Sequence, residues 1–112
     1  MKTISIHQAE PKQNPHGVEV KALYSQPDAQ VMHITLKPGE ALKPHKTPVD
    51  VFFYVLEGKP TIYIAEELFV AEKDTLIESP KDIVHYISNQ SEAMARVLVV
   101  KTPNPMREKK VL

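Results

Sequence analysis

The sequence has no cysteine, no tryptophan and only three glycines. Without thiols there is no disulfide framework, thiolate metal site or cysteine nucleophile, so any metal would have to be held by His, carboxylate, Thr or water. Three dispersed glycines cannot build a phosphate-cradling loop, and no G-x-S-x-G elbow, Walker loop or dinucleotide fingerprint occurs. Serine-nucleophile, nucleotide-dependent and flavin- or NAD-dependent mechanisms lose most of their support. An excess of charge is also missing, because 14 Lys and Arg balance 14 Asp and Glu. With no basic field to gather phosphates, nucleic acid is not expected as a partner. The longest apolar run, Val51 to Leu56, is far shorter than the roughly 20 residues of a membrane span, and MKTISIHQAE lacks the apolar core of a signal peptide. A soluble cytoplasmic protein without a membrane partner is expected.

What remains is a 112-residue chain, 42% hydrophobic, with ten prolines and five histidines. That length suits one domain, with a core over residues 18–101, an N-terminal arm over 1–17 and a C-terminal tail over 102–112. Apolar residues recur at period two in short segments punctuated by Pro, Gly, Asn and Asp, which predicts strands joined by turns. Ile4 and Ile6 suggest a first edge strand, and residues 18–25 and 30–36 form a hairpin around Pro27-Asp28. Lys37-Pro38-Gly39-Glu40 has the residue order of a type II turn. Prolines at 44 and 48 make residues 41–48 an edge, a bulge or an irregular segment. Residues 49–56, apolar on both parities apart from Asp50, read as a strand covered on both faces and paired with 61–65 in a second hairpin. Further strands are expected over 68–71, 75–78, 83–88 and 93–101. Eight to ten short strands in so small a domain mean an all-β sandwich, barrel or jelly roll. The unprotected edges of such a fold make a homodimer the expected assembly.

Two polar constellations interrupt the apolar strands. The first, PGEALKPHKTPVDVFFYVLEG, resembles the first motif of the cupin family, G-x5-H-x-H-x3-4-E-x6-G, with Gly39, His45 and Gly58 in register. The second, DTLIESPKDIVHYISN, is similar to that family's second motif, G-x5-P-x-G-x2-H-x3-N, with Pro80, His85 and Asn89 matching. The resemblance implies an antiparallel double-stranded β-helix, or jelly-roll barrel, with a pocket between the two motifs. It also implies one divalent metal, such as Zn, Ni, Mn or Fe, held by two His and a Glu of the first motif and the His of the second.

The departures from that pattern bear on function. His45 and His85 match, but Thr47 stands at the second His and Val51 at the Glu. Asp50 lies one residue early, and in a regular strand that offset sends its side chain to the opposite face unless a bulge near Pro48 reverses it. Asp74 and Asp82 occupy two glycine positions of the second motif, where turn and left-handed conformations are tolerated. The candidate metal ligands are therefore His45, His85 and Asp50, with Thr47 or His33 as alternatives to Asp50. The candidate pocket residues are Thr47, Val51, Phe53, Tyr63 and His33. His7 and His16, near loops, read as surface residues.

Three functions stay open. One is a small-molecule-binding barrel with a degenerate metal centre, in which the histidines line the pocket and one bonds the Thr47 hydroxyl. Another is a metal-dependent dioxygenase, decarboxylase or isomerase acting on a small oxygenated substrate, which the resemblance implies and which requires an inward Asp50. The last is a non-catalytic interaction or storage module. The basic end with Arg107, Lys109 and Lys110 reads as a solvated tail.

Overall fold

The structure, a computed structural model, describes residues 1–106, and the basic end lies outside them. The described chain is all β. Its eight strands are β1 Glu19–Gln26, β2 Ala29–Leu36, β3 Asp50–Glu57, β4 Thr61–Ile64, β5 Glu67–Val70, β6 Leu76–Ser79, β7 His85–Ser88 and β8 Ala95–Thr102. They form a five-stranded sheet of order β1-β2-β8-β3-β6 and a three-stranded sheet of order β5-β4-β7. All pairings are antiparallel. No helix of the described residues is long and apolar enough to cross a membrane.

Alternation decides which side chains enter the core. In β3, Val51, Phe53 and Val55 point inward and are buried, and in β8 Ala95, Val97 and Val99 do the same. Ile62 of β4 and Ile87 of β7 meet them from the smaller sheet in one apolar cluster. The other face of β3 is only half-covered at Phe52, Tyr54 and Leu56, so the expected cover on both faces is present on one.

The turn chemistry follows residue type. Glu40 N–H donates to Lys37 O at 3.0 Å and Gly39 has φ +86°, as a Pro-Gly turn requires. Asp74 and Asp82 have φ +66° and +63°, so aspartate serves in the left-handed conformation at both turns. Residues 39–47 run beside β7 as an interrupted strand: Leu42 N–H donates to Ile87 O, Asn89 N–H to Glu40 O, and Asp82 N–H to Thr47 O. The buried Asn89 amide secures the end of this ladder, donating to Leu36 O at 2.9 Å and Ala93 O at 2.8 Å.

Two expectations are corrected. Ile4 and Ile6 form no strand, because Ser5 and Gln8 bond each other's backbone N–H through their side chains and Ala9 N–H closes on Ser5 O. β3 and β4 form no hairpin but belong to different sheets, and β4 pairs with β5 and β7 instead. The crossing starts at a register shift between Val55 and Glu57 and turns at Gly58, whose φ is +81°.

At Gly58 an added Cβ would lie 2.5 Å from Met94 O and 2.9 Å from Ala95 Cα, backbone atoms that cannot swing aside. Gly39 has a similar φ but open space around it. Urea unfolding should therefore show Gly58→Ala losing roughly 2–4 kcal/mol and Gly39→Ala about 1 kcal/mol. Equal losses would mean that backbone conformation alone, and not close approach at the sheet-to-sheet crossing, sets the cost.

Candidate ligand cavity

One reciprocal backbone contact brings the two motifs together. His45 N–H donates to His85 O at 3.2 Å and His85 N–H to His45 O at 2.9 Å, an isolated antiparallel bridge between the interrupted segment and the first residue of β7. Directly paired side chains lie on the same face. The two imidazoles accordingly meet edge to face with centroids 4.8 Å apart, and Phe53 packs against His85 at 5.4 Å.

These rings line a cavity of about 210 Å³ between the sheets. Met32, Ile34, Phe53 and Val99 supply apolar wall, while His16, His45, His85 and Lys101 supply polar groups. His16, expected at the surface from its place in the sequence, comes from the N-terminal arm. That arm folds back along its own barrel, where Lys12 N–H donates to Val20 O at 2.7 Å and Lys21 Nζ to Ile6 O at 2.9 Å. Asn14 shapes the turn that presents His16, its Oδ1 accepting from the N–H groups of His16 and Gly17. Lys101 is a further cavity residue absent from the sequence candidates, although its signal was legible: it continues the inward parity of Ala95, Val97 and Val99.

Lys43 orients two of the rings through its backbone. Its N–H donates to His16 Nδ1 at 2.8 Å, and its carbonyl accepts from His45 Nδ1 at 2.9 Å. The neutral His16 ring therefore carries its proton on Nε2, whereas the neutral His45 ring keeps an Nε2 lone pair. The His16 and His45 centroids are 5.2 Å apart.

His85 is bonded at both nitrogens. Ser79 Oγ lies 2.7 Å from Nδ1 and Thr47 Oγ1 lies 3.1 Å from Nε2, both inside the buried layer. Each hydroxyl can donate or accept, so either neutral tautomer is satisfied. Burial, then the positions of His45 and Lys101, pushes the His85 pKa down to about 4. Burial also lowers the Lys101 pKa, and burial first, then His45, Lys43 and Lys101, lowers that of His16.

The other sequence candidates lie elsewhere. Asp50 is exposed, and its Oδ1 accepts from Lys81 N–H at 3.0 Å, so no bulge turns it inward. Val51 is buried in the core beside Ser79 and Lys101 in register, without lining the cavity. Tyr63 stacks on Tyr86 at 4.1 Å and accepts from Gln90 Nε2 at 2.6 Å; Tyr86, not Tyr63, borders the cavity. His33 is fully buried on the opposite side of β2 from Met32 and Ile34, and its Nε2 accepts from Arg96 Nη1 at 3.1 Å. Arg96 is itself paired with Glu57 at 2.8 Å.

These positions bear on the metal that the motif pattern implies. Among the described residues no group of three or more His, Asp or Glu is arranged to hold an ion. His85 would have to give up a hydroxyl bond to become a ligand, Val51 offers no donor, and Asp50 faces away. The residues present do not fit a complete metal centre, which needs three or four protein ligands.

Folding lowers the His85 pKa, so the unfolded chain binds its proton more readily than the folded one. The stability that neutral His85 contributes is complete above about pH 6.5 and is lost as pH falls toward 4, a change of roughly 3 kcal/mol. Imidazole NMR titration should show His85 still neutral at pH 5.5. A midpoint near 6.5 would contradict the buried, doubly bonded ring.

Comparisons with known proteins follow the same lines. The sequence profile described as a cupin domain matches residues 32–101. Solved structures share the fold at low identity. TT1209 from Thermus thermophilus is 24% identical with a TM-score of 0.80, the match covering 94% of this chain and 100% of that one. KdgF from Halomonas sp. is 17% identical with a TM-score of 0.82, covering 93% and 94%. A predicted oxalate decarboxylase from Thermotoga maritima is 18% identical with a TM-score of 0.82, covering 91% and 99%. No curated protein matches the sequence. With a profile that takes in most of the chain, both motifs in register and the two-sheet barrel around them, this protein belongs to the cupin family.

Proposed function

We propose that this cupin binds a small organic molecule in the cavity between its sheets, with His45 and His85 acting as pocket groups instead of metal ligands. The observation that carries this reading is the double hydroxyl bonding of His85 by Ser79 and Thr47. A ring held at both nitrogens is a rigid, neutral wall element, and ligand pockets are mostly apolar surfaces with a few such polar groups. The cavity, at about 210 Å³, is smaller than the roughly 300 Å³ at which drug-sized pockets begin, which favours a compact ligand.

A second reading is a metal-dependent dioxygenase, decarboxylase or isomerase. It is favoured by the cluster of His16, His45 and His85 rings at 5.2 and 4.8 Å and by the similarity to a predicted oxalate decarboxylase. Elemental mass spectrometry after incubation with Zn, Ni, Mn and Fe(II) and desalting separates the two. We expect metal well below one ion per chain, unchanged in His45→Ala. One tightly held ion per chain, lost in both His45→Ala and His85→Ala, would establish the second reading and overturn the first.

We also propose a homodimer. β5 is an unpaired sheet edge whose Leu68, Phe69 and Val70 are each more than half exposed, the kind of edge that proteins cover. Light scattering should give a dimer mass, and Phe69→Lys should shift it toward the monomer. A monomeric parent protein would refute this assembly.

A further inference from the structure

The cavity lining carries formal charge of one sign only. Its lining includes no Asp or Glu among the described residues, yet it includes Lys101. Lys101 occupies an inward position of β8, with its stem beside buried Val51 and Val99. No hydrogen bond or ion pair joins its ammonium to another described residue. A half-buried cation without a partner is costly, and proteins ordinarily pair such charges. Balanced overall charge makes this local imbalance more informative, since carboxylates are plentiful elsewhere in the chain.

One neighbouring ring repeats the same polarity. His16, with Nδ1 filled by the Lys43 N–H, presents Nε2–H as a donor. His16 and Lys101 both line the cavity. His45 differs: its Nδ1–H is spent on the Lys43 carbonyl, so the neutral ring leaves Nε2 as an acceptor. Beside these groups the wall is hydrocarbon, from Met32, Ile34, Phe53 and Val99, which share the larger sheet with Lys101.

We propose that the ligand is a small organic carboxylate, its charged end held by Lys101 and His16 and its apolar body lying on Phe53 and the adjacent aliphatic side chains. This rests on the reading of the cavity as a small-molecule site and adds the sign of the ligand's charge. A carboxylate would supply the counter-charge that the protein withholds from Lys101, and ammonium and imidazole N–H donors make charge-assisted hydrogen bonds to it. An amide of the same shape fills the same space but cannot neutralise the cation.

The test uses matched pairs of probes, benzoate with benzamide and hexanoate with hexanamide, titrated at millimolar concentration into the full-length protein and followed by amide NMR shifts. The acid of each pair should bind at least roughly tenfold more tightly than its amide, with shifts concentrated at residues 16, 45, 85 and 101. Lys101→Met should abolish that preference, and Lys101→Arg should retain it. If the Met variant is misfolded, Lys101→Gln supplies the neutral comparison. Equal affinity for acid and amide at the cavity would overturn the carboxylate proposal and leave the small-molecule reading standing. Absence of cavity shifts with all four probes would overturn both.

Discussion

The reciprocal backbone bridge between His45 and His85 is the contact on which the site depends. It joins a proline-interrupted segment, which could not form a full ladder by itself, to an ordered strand of the smaller sheet. Leu42 with Ile87, Asn89 with Glu40 and Asp82 with Thr47 extend the attachment on either side. Because the pairing sets both rings on one face, their proximity is a property of the backbone. The side chains at 45 and 85 inherit a common cavity whatever chemistry they carry. The turns flanking the bridge hold its register through Gly39 at one end and Asp82 at the other.

On that frame, the identity of a few residues decides between ion binding and ligand binding. Thr47 has kept the inward position of a ligand but supplies a hydroxyl that bonds His85. Ser79, from the adjacent β6, takes the other nitrogen. Two hydroxyls thus satisfy a buried imidazole that would otherwise leave an unpaired polar atom, at a cost of about 1–3 kcal/mol. Valine at position 51 removes an anionic donor and fills its place with core packing. These residues are mutually consistent: where the family pattern has metal ligands, this chain has a hydroxyl bonded to His85 and a core valine.

Much of this was legible in the chain because it depends on short-range rules. Strand parity kept Asp50 apart from Thr47, Val51 and Phe53, and the structure keeps it on the outside. The tolerance of aspartate for positive φ accounts for Asp74 and Asp82 at glycine positions. What could not be read was long-range. Nothing local shows that the chain crosses between sheets at Gly58, since a Glu-Gly-Lys-Pro turn looks the same whether it closes a hairpin or turns a corner. The approach of Met94 and Ala95 that makes glycine necessary comes from residues over 30 positions away. His16 was invisible for the same reason, because its role follows from the folding of the arm along β1 and the hydrogen bond from Lys43. Tyr63 and His33 show the converse, as strand residues with suitable chemistry whose faces are taken up by Tyr86 and Arg96.

The missing carboxylate also changes the charge of the cavity. A buried Glu beside a divalent ion is tolerable because each offsets the desolvation of the other. Remove both, and the interior has no need of either; Val51 is the neutral solution at that position. Lys101, however, is next to Val51 in the β3–β8 register and remains cationic chemistry in an apolar wall. Had the replacement been neutral throughout, an inward apolar residue would continue the series Ala95, Val97, Val99 and gain burial energy at no electrostatic cost. Retaining an ammonium there sacrifices that gain. Stability alone gives no return for the loss, whereas the proposed recognition of an anion would. His85 fits the same pattern: burial, with His45 and Lys101 nearby, holds its pKa down, and the neutral ring leaves the lysine as the one formally charged side-chain type of the lining.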